Sequence, residues 1–305
     1  MCLAGKAFKN RIIALYDRHT GENLEEQVFG RFWMNFLYGT VFGRLLTRLL
    51  LKRRCISRIY GFFQNRRRSV RKIPGFIRLN NLNTEEIAKG LTDFTCFNDF
   101  FIRTLKAGSR PVDMAAERLV SPADCRLQAC AVERDTLVPV KGRPCTLAQL
   151  LGDSALAEQY CGGNCLIFRL APSDYHRFCY IDNGVQGPVR SLGAALDSVN
   201  PLVLAARVPV FAENHRHLCI LETENFGAVQ HLDVGAMLVG RVHQHKPSGG
   251  PCRKGEEKGY FLFGGSTIVL VFKQGIIALD EDISSRSAQG IEVIVRYGEG
   301  IGRRI

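Results

Sequence analysis

After about residue 115, short apolar runs alternate with Gly, Pro and Asn turns. The clearest are CLIFRL at 165–170, LCILET at 218–223, TIVLVF at 267–272 and IEVIVRY at 291–297. Runs of about four to eight β-branched and apolar residues bounded by turn formers are strand signals. Their number predicts a mostly antiparallel β body. One helical patch interrupts them, TLAQLL at 146–151, stopped by Gly152. Residues 1–110 read differently. Long Arg- and Leu-rich segments predict helix, with a helix start at Asn83, Thr84, Glu85 and Glu86, where a small polar cap precedes acid in the first turn. The predicted class is α+β: a helical, basic region over 1–110 on a mostly antiparallel β body over 111–305.

Composition narrows the class. The chain has 305 residues, 46% hydrophobic and 23% charged. That is ordinary globular usage, which excludes wholesale disorder, and such a length buries a core without disulfide staples. The net charge is +12, and its location matters more than its size. Residues 1–75 hold 16 Lys/Arg and 4 Asp/Glu, whereas the remainder holds 25 of each. A basic arm on a neutral body calls for an anionic partner.

The apolar content of the arm selects among anions. Phe32 to Leu51 reads FWMNFLYGTVFGRLLTRLLL, interrupted by Arg44 and Arg48. A spanning helix needs about 20 apolar residues without central charge, so this is a poor transmembrane segment. Arg beside Trp, Phe and Leu describes a helix lying in an anionic interface. The plainer alternative is a helical pair packed on the body with a solvated basic face. No nucleic-acid module accompanies the charge, so nucleic acid is not the expected partner. The first residues contain no apolar core of about 7–15 residues and turn acidic by residue 22, so no secretory leader is expected. Eleven cysteines without a Cys-x-x-Cys predict free, mostly buried thiols in a reducing compartment.

The sharpest chemical feature is KGEEKGYFLFGGST, Lys254 to Thr267. Gly264 and Gly265 free the backbone just before Ser266. Taken alone, this reads as a glycine bulge between two strands. It is not a nucleophile elbow, because Ile268 stands where Gly-x-Ser-x-Gly needs its second glycine. His215 with His217, and His243 with His245, would share a face on a strand, but a metal site is not the expected reading.

Further segments change the balance. SPAD (Ser121 to Asp124), RLAPSDYHRFC (Arg169 to Cys179), CFNDFFIRTLKAGSRPVD (Cys96 to Asp113), FAENHR (Phe211 to Arg216), VGAMLVG (Val234 to Gly240) and the Gly-Gly-Ser-Thr run occur together. In this order, from about residue 31 to 303, the chain resembles the phosphatidylserine decarboxylase proenzymes. The resemblance implies that the chain makes its own prosthetic group. Ser266 Oγ would attack the Gly265 carbonyl, and β-elimination would then split the chain. Dehydroalanine left at 266 would hydrolyse to a covalent pyruvoyl group, the only cofactor. The products would be a β chain, 1–265, and an α chain, 266–305. The pyruvoyl ketone would condense with the amine of phosphatidylserine as a Schiff base and take up the electrons released as CO2 leaves, yielding phosphatidylethanolamine. The implied location is peripheral, on the cytoplasmic face of an anionic membrane, and a homodimer is compatible with it.

The family cleaves itself with an Asp-His-Ser arrangement. Asp124 and Ser266 match its acid and nucleophile, and His176 matches the histidine tied to decarboxylation. Two positions depart. Cys179 replaces the second histidine of Tyr-His-Arg-Phe-His, the base of the triad, and Cys125 replaces the glycine of Pro-Ala-Asp-Gly. Three outcomes follow: His176 serves both steps, Cys179 or one of His215, His217 and His243 substitutes, or processing is lost. The rival function is accordingly an unprocessed, non-catalytic lipid- or membrane-binding relative.

Overall fold

The computed structural model describes residues 14–26, 61–133, 137–138, 145–193, 215–235, 242–262 and 266–305. The interfacial segment Phe32–Leu51, the FAENHR residues 211–214, most of VGAMLVG, and Gly264 and Gly265 lie outside them. In chain order the strands are β1 (Ala14–Asp17), β2 (Glu22–Glu25), β3 (Arg118–Val120), β4 (Cys125–Ala131), β5 (Leu137–Val138), β6 (Cys145–Thr146), β7 (Asn164–Leu170), β8 (Arg177–Cys179), β9 (Gly184–Gln186), β10 (Arg190–Leu192), β11 (Arg216–Thr223) and β12 (Gly227–Gly235). Then follow β13 (Val242–Gln244), β14 (Gly250–Cys252), β15 (Glu257–Phe261), β16 (Ser266–Phe272), β17 (Ile277–Leu279), β18 (Glu292–Val295) and β19 (Gly300–Arg304). The helices are α1 (Ile73–Asn80), α2 (Phe97–Phe101), α3 (Leu147–Leu151), α4 (Ser154–Glu158) and α5 (Glu281–Ala288).

The α+β class follows from this inventory. Eleven strands form one sheet in the order β14-β9-β11-β12-β16-β7-β4-β18-β1-β2, with β10 on β11. Every pairing in it is antiparallel except β1 against β18. β16 is central and buried at all seven positions, which is why it reads as an unbroken apolar run rather than an alternating one. A three-stranded sheet, β13-β15-β8, contributes Phe178 and Phe261 to the same core as Leu166, Phe168, Ile268 and Leu270. Burial of each such side chain stabilises the fold by about 1.5–3 kcal/mol.

The four strands anticipated from apolar runs all form. So does α3, where Thr146 and Gln149 make a reciprocal capping box and Gly152 ends the helix at φ 70°. Two parts of the N-terminal region differ from the helical expectation. Residues 14–25 form a hairpin, β1-β2, whose first strand joins the large sheet. Residues 83–90 are not helical. Asn83 Oδ1 accepts the Glu85 amide in a local turn, and Ile87 pairs with Leu105 as an isolated bridge. The bridge claims the backbone, and Gly90 leaves too few residues for a stable turn of helix. Among the described residues, 61–64 are also helical and Arg67–Lys72 form a 3-10 helix; α1 and α2 pack Ile73, Phe76, Phe97, Phe100 and Phe101 into a separate aromatic cluster with Ile87 and Phe94.

Candidate active site

Antiparallel register gathers three distant segments at one end of the large sheet. β16 begins at Ser266, which pairs with Leu170, the last residue of β7. β7 in turn pairs Arg169 with Arg126, so β4 begins at the same end, directly after Asp124. The start of β16, the turn before β4 and the Ala171–His176 loop after β7 are therefore neighbours. Gly235, the last residue of β12, lies on the other side of Ser266, and its amide donates to the His215 carbonyl at 3.0 Å.

Ser266 is fully buried, and its Oγ has no hydrogen-bond partner among the described residues. A buried hydroxyl ordinarily finds a partner, so an orphaned one at the mouth of a core strand calls for a chemical explanation. The Thr267 hydroxyl, next along β16, is likewise buried without a partner among the described residues.

His176 is also fully buried. Its Nδ1 lies 2.9 Å from the Asp174 carbonyl oxygen. A carbonyl only accepts, so Nδ1 carries the proton, and in the neutral ring Nε2 carries the lone pair. The ring rests on Phe101, with centroids 4.1 Å apart. Its loop is held at both ends. The Asp174 carboxylate accepts from the Ala171 amide at 2.7 Å and from Arg126. Phe261 N donates to the His176 carbonyl at 2.9 Å, which sets His176 beside the end of β15, shortly before Ser266.

Asp124 is held differently from a triad acid. Arg110 grips it through Nε at 2.9 and 3.0 Å and Nη2 at 2.8 Å, and the Tyr297 amide donates to Oδ1 at 2.8 Å. None of its hydrogen bonds among the described residues goes to an imidazole. Cys179 Sγ sits 3.9 Å from the Ser121 carbonyl oxygen, fully buried, and burial pushes its thiol up to about 12. Cys125 lies 3.8 Å from the Ser121 hydroxyl, and burial raises its thiol as well. Both departures from the family pattern thus place protonated thiols on Ser121 at neutral pH.

Among the described residues, no three His, Cys, Asp or Glu side chains gather as for a metal ion. His243 stacks on Tyr260 at 4.6 Å, and His245 Nε2 meets Glu257 at 2.7 Å. Sequence reasoning missed a different cluster. On β12, His231 Nε2 bonds Asp233 at 2.8 Å, and Lys258 Nζ from β15 meets Asp233 at 2.9 Å. All three are fully buried, and Gln244 bonds both Asp233 and Lys258. Lys258 and the adjacent histidine hold the Asp233 carboxylate well below the usual range despite its burial. The available signal was the pair His231 and Asp233 alternating inside an apolar strand.

Comparison with known proteins agrees with this architecture. The statistical model of the family described as phosphatidylserine decarboxylase matches residues 97–303. Phosphatidylserine decarboxylase proenzyme 2 of Clostridium acetobutylicum is 39% identical over 290 residues, covering 95% of this chain and 98% of that protein. The phosphatidylserine decarboxylase proenzyme of Ruminiclostridium cellulolyticum is 41% identical over 295 residues, 96% of this chain and 98% of that one. A Clostridium botulinum protein of the same name is 38% identical over 295 residues, 96% of this chain and its own full length. The match spans the turn before β4, the histidine loop and the start of β16, and with it the chain belongs to the phosphatidylserine decarboxylase family.

Proposed function

We propose that this chain is a proenzyme that cuts itself before Ser266 and then decarboxylates phosphatidylserine to phosphatidylethanolamine and CO2. The observation that carries the reading is the buried Ser266 hydroxyl, without a hydrogen-bond partner among the described residues, at the shared end of β4, β7 and β16. Ser266 Oγ adds to the Gly265 carbonyl and passes its proton to a base, and the peptide nitrogen leaves to give an ester. Removal of the Ser266 Cα proton then expels the Gly265 carboxylate and leaves dehydroalanine at 266. Water hydrolyses that residue, ammonia departs, and a pyruvoyl group remains at the head of the 266–305 chain. Such a group supplies a carbonyl that binds the substrate amine and accepts the electron pair released with CO2.

The protein's own groups do the rest. His176 is the base, because its Nδ1 proton is committed to Asp174 and Nε2 is the basic nitrogen. Arg126 and the Ala171 amide fix the loop that carries it. Phe101 covers one face of the ring and helps to exclude water. Asp124, locked to Arg110 and Tyr297, anchors the turn before β4. Membrane contact is assigned to the basic N-terminal region. Phe62, Phe63 and Leu79 are exposed there beside exposed Arg66, Arg67, Arg68, Arg71 and Arg78. No helix among the described residues is long and apolar enough to cross a membrane.

Intact mass and a denaturing gel of the purified protein test this directly. Two chains with a blocked N-terminus on the shorter one are expected. A single 34.1 kDa species under conditions that preserve the fold would favour the non-catalytic relative instead.

A further inference from the structure

The arginines packed near the histidine loop have acids of their own, with one exception, and Arg177, which follows the loop, takes Glu257. Arg110 takes Asp124 and Glu86, and Arg126 takes Asp174. Arg103 does not. It is 6% exposed, and among the described residues its guanidinium donates only to backbone carbonyls: Phe101 at 3.5 Å, Ser173 at 3.2 Å and Asp174 at 3.4 Å. Its remaining contact is the face of Phe100, 5.4 Å from the ring centroid. No carboxylate pairs with it among the described residues. Burial lowers its proton affinity, with only partial compensation from Asp124 and Asp174, which are committed elsewhere. A buried cation without a counter-ion is costly and ordinarily acquires one.

The position of Arg103 says what that anion serves. Nη2 of Arg103 and Nδ1 of His176 approach the same oxygen, the Asp174 carbonyl, at 3.4 and 2.9 Å. Arg103 also contacts the Phe101 carbonyl, and the Phe101 ring lies on His176. An anion held by Arg103 is therefore held beside the reacting centre. A guanidinium presents a planar fork suited to carboxylate or phosphate. The substrate offers both. Pairing the carboxylate with a cation would stabilise the state that must lose CO2, which opposes the reaction. The phosphodiester is unchanged throughout, so gripping it positions the headgroup without that penalty.

We propose that Arg103 binds the phosphodiester of the phospholipid headgroup and sets its amine and carboxylate against the site at residue 266. The inference rests on the decarboxylase reading only for its choice of lipid. Its test reads binding and needs neither cleavage nor turnover, so a chain that fails to cleave refutes that reading and leaves this one testable.

Calorimetric titration of the full chain with dihexanoyl phosphatidylethanolamine, below its micelle concentration, is the assay. Arg103→Gln is expected to weaken binding about ten- to hundredfold, as for loss of a charge-assisted hydrogen bond. Arg103→Lys, which keeps the charge and loses the fork, is expected to fall between. Dihexanoyl glycerol, which lacks the phosphate, is expected to bind both forms alike. Because Arg103 is an uncompensated buried charge, the thermal midpoint of Arg103→Gln is expected to equal or exceed the wild type. Wild type that does not bind the lipid, or equal binding by wild type and Arg103→Gln, overturns the proposal. The latter result would return Arg103 to the carboxylate, which this probe lacks. A clear fall in midpoint marks a structural residue and overturns it too. Inorganic phosphate that displaces the lipid at similar affinity would make the site one for free phosphate, against a lipid headgroup.

Discussion

Cys179 is fully buried with its sulfur against the Ser121 carbonyl, and its thiol is pushed up to about 12. The consequence is a pH signature. If the Cys179 thiolate were the base, the self-cleavage rate would climb about tenfold per pH unit from neutrality upward, because only the ionised fraction acts. An imidazole base gains with pH only until it is deprotonated, and then levels off. A plateau is expected, with Cys179→Ser cleaving at about the wild-type rate. His176→Ala is expected to slow cleavage by about 10²–10⁴-fold, the usual worth of a positioned base. A rate that keeps rising through high pH in wild type and not in Cys179→Ser would move the base to Cys179. Ser266→Ala should abolish cleavage and activity together, since the proposed mechanism makes one residue both nucleophile and prosthetic-group precursor. The residues of this site were legible one at a time from short motifs. Their bonds were not: that Asp124 belongs to Arg110, and His176 to a carbonyl two residues back, depends on side-chain directions that motifs do not carry.

Strands carry the arrangement from residues to core. Apolar runs such as TIVLVF announced β16 because a strand buried on both faces has no polar alternation to obscure it. The hairpin β1-β2 gave no such signal, being four exposed residues after a partly buried strand, and its place beside β18 is a pairing 277 positions away in sequence, Leu15 with Glu292. The Asp233 cluster was hidden for a related reason, since Lys258 reaches it from β15, 25 residues on, across the core. That cluster ties β12 of the large sheet to β15 of the small one. Asp233→Asn leaves Lys258 as an unpaired buried cation and should cost about 3–5 kcal/mol in denaturant unfolding. Lys258→Met should cost a similar amount, while the double variant should recover much of it. Because the folded-state affinity of Asp233 for protons is depressed, its contribution is present above the ordinary carboxylate range and is lost as pH falls toward the folded value. Additive losses in the double variant would show that the pair does not act as a unit. β16 also fixes what cleavage can do. It pairs through all seven residues with β7 and through six with β12, so the 266–305 chain should co-elute with the 1–265 chain under native conditions and separate only on denaturation.

At the scale of the whole molecule, charge and chemistry are segregated. The excess of +12 lies within residues 1–75, and the remainder is neutral. Removing residues 1–75 is the direct test of the proposed membrane contact, but the fold argues against it. β1 is a strand of the large sheet, and Glu26 bonds Arg169, itself buried against Glu292. A truncated chain would lose a sheet edge and leave Arg169 short of a partner, so weakened vesicle binding could report misfolding. Substitution in place avoids this. Arg67, Arg68, Arg71 and Arg78 are exposed and flank Phe62, Phe63 and Leu79, without a role in the described core. Their replacement by Gln should leave the thermal midpoint unchanged, because exposed charges contribute little to stability. It should weaken cosedimentation with phosphatidylserine-containing vesicles by about fivefold per charge at low salt, and the difference should shrink as salt is raised. Phosphatidylcholine vesicles, with no net charge, should not distinguish the two proteins. Equal binding of both proteins to anionic vesicles at low salt would remove this surface from the membrane contact. The apolar and basic segment Phe32–Leu51 would then have to carry it alone.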